Sequence, residues 1–370
     1  MEIKAKEVVI KSEKDLPEAP ISQGFSLVKK TGTWRNVRPV MATRSAPCQN
    51  ACPLRVEIPA FIDLLTKAQP EKAAFEILKQ NPFPSITGRL CPAKCEIGCN
   101  RNKYDEKVSI KELERFLGDL VLEKKELKVQ KKQDKKVAIL GASTAGMAAA
   151  YRLLLDGIDV TVFSQTGVSF EDIRGKIESK IVDTEEKLLK DAGLKIVKET
   201  NKDIDTLSKE FDGVFVATDI YPDLVKIKDP KIGSTDYKNV FAGGDTKDIS
   251  KNIKTGLTGA NSIISILKGE EPQPEPRLPR VVSYKEIVVN YFNHIPAIKE
   301  IRTVEEAIKE GDRCFSCGYC NSCGNCYIFC PDAAINWVND QPEFIYDYCK
   351  GCGICVTECP RSALEMIPEK

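Results

Sequence analysis

The sequence predicts a multidomain protein that combines α/β and α+β architecture. Three observations support this fold class: helical periodicity around five cysteines in the N-terminal third, a strand–turn–helix–strand pattern in the middle, and ten of the fifteen cysteines within 47 residues near the C-terminus. A chain of 370 residues with 42% hydrophobic residues is long enough for two or three cores. We predict five segments, which are residues 1–40, 41–134, 135–270, 271–312 and 313–370.

The composition argues against several classes of protein. Lys and Arg number 55 against 54 Asp and Glu, and this net charge of +1 gives no reason to expect nucleic acid or a membrane surface as a partner. No apolar run approaches the ~18 residues of a membrane span, and residues 1–20 lack the apolar core of a signal peptide, so we expect a cytoplasmic protein. The single histidine, His294, is interpreted as a linker residue, which argues against histidine-based metal sites and acid–base catalysis.

A helical, cysteine-bearing domain is expected over residues 41–134. Pro59 and Pro70 suit the first turns of two helices, because proline is favoured at that position. Ser109 and Glu112 have the spacing of a capping box at the start of a third helix, with apolar residues following at helical spacing. The cysteines of this domain are Cys48, Cys52, Cys91, Cys95 and Cys99.

Three stretches lack the periodicity of helices or strands. Residues 1–40 are expected to form an extended arm, and the lysine-rich stretch 123–134 is interpreted as a solvated linker or helix extension. The proline-rich run 271–280 marks the boundary between the middle of the chain and its C-terminal part.

The middle of the chain alternates short buried strands with helices. Residues 137–140 are a strand candidate, followed by a glycine turn, an alanine-rich helix and a second strand over 158–163. This order is a Rossmann-type βαβ unit. Further strands are predicted at 194–197, 213–217 and 239–243. A last helix is expected to end at Gly269, which suits a C-terminal cap.

The glycine turn only partly matches a dinucleotide site. Gly141 and Gly146 are present, but Ser143 stands where a second glycine would let a pyrophosphate approach, and Ser164 stands where an acid would bind the ribose. Both replacements act against nucleotide binding. Two interpretations stay open: a dinucleotide site, or a fold kept as a scaffold.

The C-terminal segment contains two copies of C-x2-C-x2-C-x3-C-P, beginning C320-N-S-C and C349-K-G-C. This is the pattern of a two-cluster bacterial ferredoxin, in which three cysteines hold one [4Fe-4S] cluster and the fourth ligates the other. One cluster is therefore assigned to Cys320, Cys323, Cys326 and Cys359, and the second to Cys349, Cys352, Cys355 and Cys330. A pair of zinc sites is the alternative, but zinc would not require the duplicated step with its proline.

The whole chain resembles the small subunit of bacterial glutamate synthase and related flavin-containing iron–sulfur oxidoreductases, including a branch with a C-terminal two-cluster ferredoxin. The resemblance rests on the motifs N81-P-F-P-S-I-T-G-R-L-C-P, K111-E-L-E-R-F and N239-V-F-A-G-G-D. It implies an FAD-binding domain, with Gly141, Gly146 and Asp245 as contacts. Only about twenty residues separate Ala217 from Asn239, where the family has an NAD(P)H domain, so no NAD(P) is expected.

Seven cysteines remain outside the ferredoxin motif. In the family's glutamate-synthase branch, the N-terminal domain holds two clusters and starts with an E-A-x-x-C-x-x-C segment, which is similar here to residues 305–317. The resemblance implies one cluster held by Cys52, Cys91, Cys95 and Glu114, and another held by Cys48, Cys99, Cys314 and Cys317. A single N-terminal cluster, with Cys314 and Cys317 free or bound to zinc, is the alternative.

These patterns predict an iron–sulfur electron-transfer subunit of a larger oxidoreductase complex with three or four [4Fe-4S] clusters. No catalytic residue is assigned. Ferredoxin or another redox subunit is the expected exchange partner. An FAD-dependent NAD(P)H:acceptor oxidoreductase is the alternative from the enzyme class, and a zinc-binding interaction module is a third interpretation.

Overall fold

The structure, a computed structural model, describes residues 30–199, 203–244 and 247–369. The chain divides into two compact units. The first comprises the described parts of Met1–Arg44, Val282–Tyr291 and Ser316–Lys370, and the second comprises the described parts of Ser45–Val281 and Phe292–Phe315. Within the described chain, no helix combines the length and the apolar character that crossing a bilayer requires.

The second unit begins with six helices that carry the N-terminal cysteines. They are α1 (Pro47–Ala51), α2 (Ile58–Thr66), α3 (Pro70–Leu78), α4 (Pro84–Leu90), α5 (Lys94–Ile97) and α6 (Ile110–Val121). Each of the first four has proline within its first two positions, where the missing N–H has no helical partner to lose. In α6, Leu113, Leu117 and Val121 face the core at helical spacing, as the sequence pattern predicts.

The predicted capping box at the start of α6 is wrong. Ser109 is the N-cap residue, but its side chain makes no capping hydrogen bond. Its backbone N–H donates instead to Glu310 Oε1 at 2.8 Å, on a later helix, α11 (Val304–Asp312), which packs against α2. Glu112 binds Arg115 at 3.1 Å. In a capping box the Glu112 side chain would accept a hydrogen bond from the Ser109 N–H. Here the Glu310 carboxylate, far away in sequence, accepts that bond instead.

A five-stranded parallel sheet forms the middle of the second unit. Its strands are β2 (Lys136–Leu140), β3 (Asp159–Ser164), β4 (Lys195–Lys198), β5 (Gly213–Ala217) and β6 (Val240–Gly243), in the order β4-β3-β2-β5-β6. The helices of this part are α7 (Thr144–Leu155), α8 (Ser179–Asp191), α9 (Ile204–Glu210) and α10 (Ile249–Leu267). This strand order is the one expected of a Rossmann fold, and it places the turn after β2 at the carboxyl edge of the central strand.

Close packing of α7 on α10 depends on a glycine. A Cβ on Gly256 of α10 would lie 2.1 Å from the Ala145 carbonyl oxygen of α7. The helix is longer than predicted, at 19 residues, and Gly269 follows it with φ of +77°. The connection between β5 and β6, residues 218–239, forms turns and isolated bridges.

The stretch 123–134 is not uniformly solvated as predicted, because Lys125 is buried. Its ammonium group donates to Glu185 Oε2 of α8 at 2.7 Å and to the Pro82 carbonyl oxygen at 2.5 Å. Both side chains of the ion pair are at most 3% exposed. The segment therefore ties the helical region to the Rossmann sheet through one buried ion pair.

Replacing Lys125 with methionine should lower the free energy of unfolding by about 2–4 kcal/mol, because it leaves the Glu185 carboxylate buried without its partner. Lys124→Met is the matched control. Its ion pair with Glu71 is mostly exposed, so its loss should cost less than about 1 kcal/mol. Anaerobic urea unfolding measures both.

The effect of Lys125→Met should also depend on pH. Burial already raises the pKa of Glu185, and an isolated carboxylate at that position can relieve its charge by binding a proton. The destabilisation is present above that raised pKa and should shrink as the pH falls through it. Equal losses for the two lysine variants, or a loss independent of pH, would contradict this account.

The first unit contains two small antiparallel sheets. Strand β1 (Val37–Met41) pairs with β9 (Leu364–Pro368), and β7 (Ile335–Val338) pairs with β8 (Gln341–Phe344). Two four-residue helices complete the unit, α12 (Asn325–Ile328) and α13 (Ile354–Thr357). Each helix lies within one of the two cysteine motifs, so the sequence repeat corresponds to a structural repeat.

Candidate metal centres

Two cavities in the first unit are each bordered by four cysteines. Trp337 and Leu364 also line the first. Pro39 and Phe344 lie in the wall of the second. The cysteines of the first are Cys320, Cys323, Cys326 and Cys359. Those of the second are Cys330, Cys349, Cys352 and Cys355.

The fourth cysteine of each motif lies at the other motif's cavity. Cys330 follows α12 but borders the second cavity, and Cys359 follows α13 but borders the first. Each of these sulfur atoms accepts a backbone hydrogen bond at 3.3 Å, from Ala334 and Ala363 respectively. These are the two groupings that the motif spacing predicts, and N–H bonds to ligand sulfurs are among the contacts that tune cluster potentials.

The third cysteine of each motif is positioned by a glycine. Gly324 and Gly353 precede α12 and α13 with φ of +84° and +80°, a conformation that glycine adopts without strain. Cys326 and Cys355, on the two helices, belong to one hydrophobic cluster with Ile335 and Leu364. The two cavities are therefore neighbours separated by apolar side chains.

The electrostatics of these cavities favour protonated thiols in the metal-free chain. Burial is the main cause that raises the pKa of Cys326 to about 11 and that of Cys355 to about 12, and the neighbouring thiols contribute to both rises. A metal ligand must be a thiolate, so loading the site with iron releases protons. Four soft sulfur donors around one cavity fit an iron–sulfur cluster. Among the described residues, no three Cys, His, Asp or Glu side chains converge closely enough to hold a single metal ion.

A third group lies in the helical region of the second unit. Cys52 ends α1, Cys91 ends α4, Cys95 lies on α5 and Glu114 lies on α6. The four side chains lie close enough for their charges to affect one another's pKa values. Burial is the main cause that raises the pKa of Cys52 to about 11 and that of Cys95 well above its usual value, and the charge on Glu114 contributes to both rises. The structure thus brings together the set that the resemblance implies.

Glu114 is held by partners that the sequence reasoning did not single out. Its Oε1 accepts a hydrogen bond from Asn81 Nδ2 at 2.6 Å and another from the Thr87 hydroxyl. Burial raises the pKa of Glu114 to about 7, although both hydrogen bonds favour the charged form. Asn81 and Thr87 belong to the N-P-F-P-S-I-T motif, so that motif orients the carboxylate. The side chain of Ser250 is hydrogen-bonded to Cys91, a contact that the sequence did not predict.

The remaining four cysteines are distributed over both units. Cys48 is buried on α1, and Cys99 precedes a short 3-10 turn (Asn100–Lys103). Cys314 follows α11 in the second unit, whereas Cys317 belongs to the first. Their sharing of one cluster stays a prediction.

Two buried arginines surround Cys99 with positive charge. Burial raises the pKa of the Cys99 thiol, and the charges of Arg313 and Arg101 partly oppose that rise. Arg101 donates to the Arg313 carbonyl oxygen at 2.7 Å, and Arg313 pairs with Glu310 at 2.6 Å. Residues 304–313 are thereby fastened to the helical region of the second unit.

The glycine turn after β2 is occupied by side chains of the chain itself. Gly141 has φ of +94°, and a Cβ on Gly146 would lie 2.1 Å from the Gly141 carbonyl oxygen, so both glycines keep the shape of a nucleotide-binding turn. However, the Ala142 N–H donates to Glu171 Oε1 and the Thr144 N–H to Asp172 Oδ1, each at 2.8 Å. With the donors used in this way, the turn does not fit the pyrophosphate of FAD.

A third carboxylate lies at the same turn. The Ser143 hydroxyl donates to Asp219 Oδ1 at 2.9 Å. Ser143 is visible in the sequence as a replacement at the glycine turn, but its hydrogen bond to Asp219 was not predicted. Asp245, predicted as a flavin contact, lies outside the described residues.

Two parts of the chain match iron–sulfur families. Residues 33–126 match the family described as dihydropyrimidine dehydrogenase domain II, 4Fe-4S cluster, and residues 342–365 match the 4Fe-4S binding domain. Together with the parallel sheet between them, these matches confirm the predicted fold class. The descriptions of both families name a 4Fe-4S cluster, so the class of protein that the two matched regions resemble is an iron–sulfur protein.

Three relatives of known name show which iron–sulfur proteins the chain is similar to. The glutamate synthase [NADPH] small chain of Bacillus subtilis is 34% identical over 204 residues, covering 53% of this chain and 41% of the relative. The NADPH-Fe(3+) oxidoreductase subunit beta of Geobacter sulfurreducens is 35% identical over 132 residues, covering 35% of this chain and 20% of the relative. The NADP(+)-dependent formate dehydrogenase subunit beta of Moorella thermoacetica is 29% identical over 210 residues, covering 48% of this chain and 30% of the relative.

The resemblance stated from the sequence is thereby confirmed: the chain is related to glutamate synthase small-subunit-like iron–sulfur oxidoreductase subunits. It spans less than half the length of each of these three relatives.

Proposed function

We propose that this chain is an iron–sulfur electron-transfer subunit of a larger cytoplasmic oxidoreductase complex. The observation that carries the proposal is the pair of neighbouring cavities, each bordered by four cysteines. Cys320, Cys323, Cys326 and Cys359 would hold one [4Fe-4S] cluster, and Cys330, Cys349, Cys352 and Cys355 the other. When bound, each cluster supplies one-electron redox chemistry at low potential.

The surroundings of the cavities suit electron exchange with another protein. Cys323 and Cys352, the second cysteine of each motif, are exposed. Trp337, which lines the first cavity, is 36% exposed, and the half-exposed ring of Tyr327 lies next to it, with ring centroids 6.1 Å apart. Exposed aromatic side chains are typical of the centres of protein interfaces. We propose that a redox partner docks at this face.

The helical region would hold a third cluster. Its ligands would be Cys52, Cys91, Cys95 and Glu114, with Asn81 and Thr87 orienting the carboxylate. A fourth cluster, with Cys48, Cys99, Cys314 and Cys317, is the finer form of the proposal. The direction of electron flow is set by the partners, which we propose to be a catalytic subunit on one side and ferredoxin or another redox subunit on the other.

Anaerobic stopped-flow mixing tests the proposed function. The chain is reduced with dithionite, freed of excess reductant and mixed with oxidised cytochrome c, a one-electron acceptor whose haem bands differ from cluster absorption. We expect the cluster absorption of the chain to recover and the haem to become reduced as electrons leave in one-electron steps, and we expect no reduction of the chain by NADH or NADPH. Rapid, saturable NAD(P)H oxidation by the isolated chain would support the flavoenzyme alternative and overturn the proposal.

The iron content of the same preparation decides the number of clusters. Four clusters require about sixteen irons per chain and three require about twelve. A Cys314→Ser/Cys317→Ser variant should contain about four fewer irons than the unmodified chain if these residues hold a cluster. About twelve irons in both proteins would rule the fourth cluster out.

A further inference from the structure

The N-terminal end of α7 is where a Rossmann fold binds the pyrophosphate of a dinucleotide, through backbone N–H groups and the helix dipole. In this chain two of those N–H groups, of Ala142 and Thr144, donate to Glu171 and Asp172. The Thr144 hydroxyl adds a further bond to Asp172 Oδ2 at 2.8 Å. The carboxylates thus make the type of contact that phosphate oxygens would make.

We propose that Glu171 and Asp172 are built-in substitutes for the pyrophosphate, so that the Rossmann domain closes its own nucleotide site and binds no FAD. The inference does not depend on the proposed electron-transfer role, because it concerns a different part of the chain from the cysteine cavities.

The segment that delivers the two carboxylates is firmly held. Phe170, directly before them, is fully buried with φ of +52°, and its ring meets the edge of Phe83 at a centroid distance of 5.1 Å. The Glu171 N–H also donates to the Ala142 carbonyl oxygen at 3.1 Å, so the segment and the turn bind each other in both directions. A nucleotide would have to displace this anchored segment.

Charge at the turn also opposes a phosphate. Asp219 accepts a hydrogen bond from the Ser143 hydroxyl. A Cβ on Gly244 would lie 2.5 Å from Asp219 Oδ1, so the Asp219 carboxylate occupies space that is open only because residue 244 is glycine. Burial is the main cause that raises the pKa of Asp219 to about 7, and the charges of Asp172 and Glu171 contribute to that rise. A pyrophosphate would add negative charge to a site that already holds three acids.

The residue at the position of the ribose-binding acid, Ser164, also makes its hydrogen bonds within the chain. Ser164, at the end of β3, accepts a hydrogen bond from the Gly167 N–H at 2.9 Å. The Thr166 hydroxyl donates to the other oxygen of Glu171, Oε2, at 2.9 Å. The Ser164 hydroxyl also lies 3.4 Å from Glu171 Oε2, so Ser164 and Thr166 both help to hold Glu171 against the turn.

Flavin analysis of the full, cluster-loaded chain is the first test and needs no variant. Protein denatured with acid should release no flavin, and added FAD should keep its free fluorescence. Recovery of about one FAD per chain, the occupancy of a working Rossmann site, would overturn the proposal.

Pyrophosphate rescue is the second test. In a Glu171→Ala/Asp172→Ala variant the turn loses its anionic partners, so we expect a melting temperature several degrees below that of the unmodified chain in sodium chloride. Millimolar pyrophosphate at matched ionic strength should restore most of the loss, and it should leave the unmodified chain unchanged.

The matched control is Asp203→Ala, which removes the capping carboxylate of α9 in the same domain, where Asp203 Oδ2 accepts from the Thr206 N–H at 3.0 Å. Pyrophosphate should not raise the melting temperature of the Asp203→Ala variant. Equal stabilisation of all three proteins, or of the unmodified chain alone, would overturn the proposal. If the alanine variant does not fold, the flavin measurement still decides.

Discussion

Replacing Cys330 and Cys349 together with serine should remove about four irons per chain, whereas replacing Cys330 and Cys320 together should remove about eight. The reason is the crossed arrangement of the fourth cysteines. Cys330 borders the same cavity as Cys349, although it belongs to the motif of Cys320. The first pair of substitutions therefore damages one cluster, and the second damages both.

A second pair of variants gives the reciprocal control. Cys359→Ser combined with Cys320→Ser should cost about four irons, and combined with Cys349→Ser about eight. Iron analysis and electron paramagnetic resonance of the dithionite-reduced proteins provide two independent readouts. If each motif instead held its own cluster, the values of four and eight would be exchanged in both pairs, and the assignment would fail.

Glu310→Ala should lower the free energy of unfolding by about 3–5 kcal/mol, the largest loss of stability that we predict from one substitution. Glu310 and Arg313 are both fully buried, and their side chains lie 2.6 Å apart. An arginine cannot relieve a buried charge by losing its proton, whereas the Glu185 carboxylate left by Lys125→Met can gain one. Glu310 also accepts from the N–H groups of Ser109 and Ile298, which would lose their partner.

Glu305→Ala on the same helix is the control, because Glu305 is exposed. It should change the free energy of unfolding by no more than about 0.5 kcal/mol. Anaerobic urea unfolding followed by far-ultraviolet circular dichroism compares the two variants. Similar small losses in both would show that the buried network around Arg313 contributes little to stability.

The parts of the fold that sequence predicts well are those set by local pattern. The strands β2 and β5 coincide with continuous buried runs, at residues 137–140 and 213–217, and Pro59 and Pro70 lie at helix starts as expected. In the cysteine-rich segment the spacing alone predicts the two groupings of four, because a motif that wraps a compact cluster leaves little freedom to the chain.

The errors come from partners that are distant in sequence. Ser109 and Glu112 have the spacing of a capping box, but Glu310 lies about two hundred residues away and takes the donor. Lys125 lies in a lysine-rich stretch and looks solvated, but Glu185 removes it from solvent. Local pattern carries no information about such contacts.

The nucleotide site illustrates the same limit in a functional setting. Ser143 and Ser164 are visible in the sequence as departures from a dinucleotide-binding motif, and they indicate loss of affinity for a nucleotide. The substitution of phosphate by Glu171 and Asp172 depends on how the segment after β3 folds back onto the turn. An acidic pair shortly after the second strand is the only sequence signal, and on its own it is not specific.

The pairing of β1 with β9 determines when the first unit can be completed during synthesis. Val37 lies opposite Pro368 and Met41 opposite Leu364, so the two strands of this sheet are more than three hundred residues apart in the chain. Ribosomes deliver residues at about 5–20 per second, from the N-terminus onward. For most of the time that translation takes, β1 is therefore a strand without its partner.

Closing this sheet has to wait for residues 364–368, and closure over so long a loop is entropically slow. A ribosome-bound chain that ends between residues 360 and 363 should lack the sheet, even though all ten cysteines of the C-terminal segment have already been made. Strand β1 can therefore join the fold only after both cysteine motifs have been synthesised.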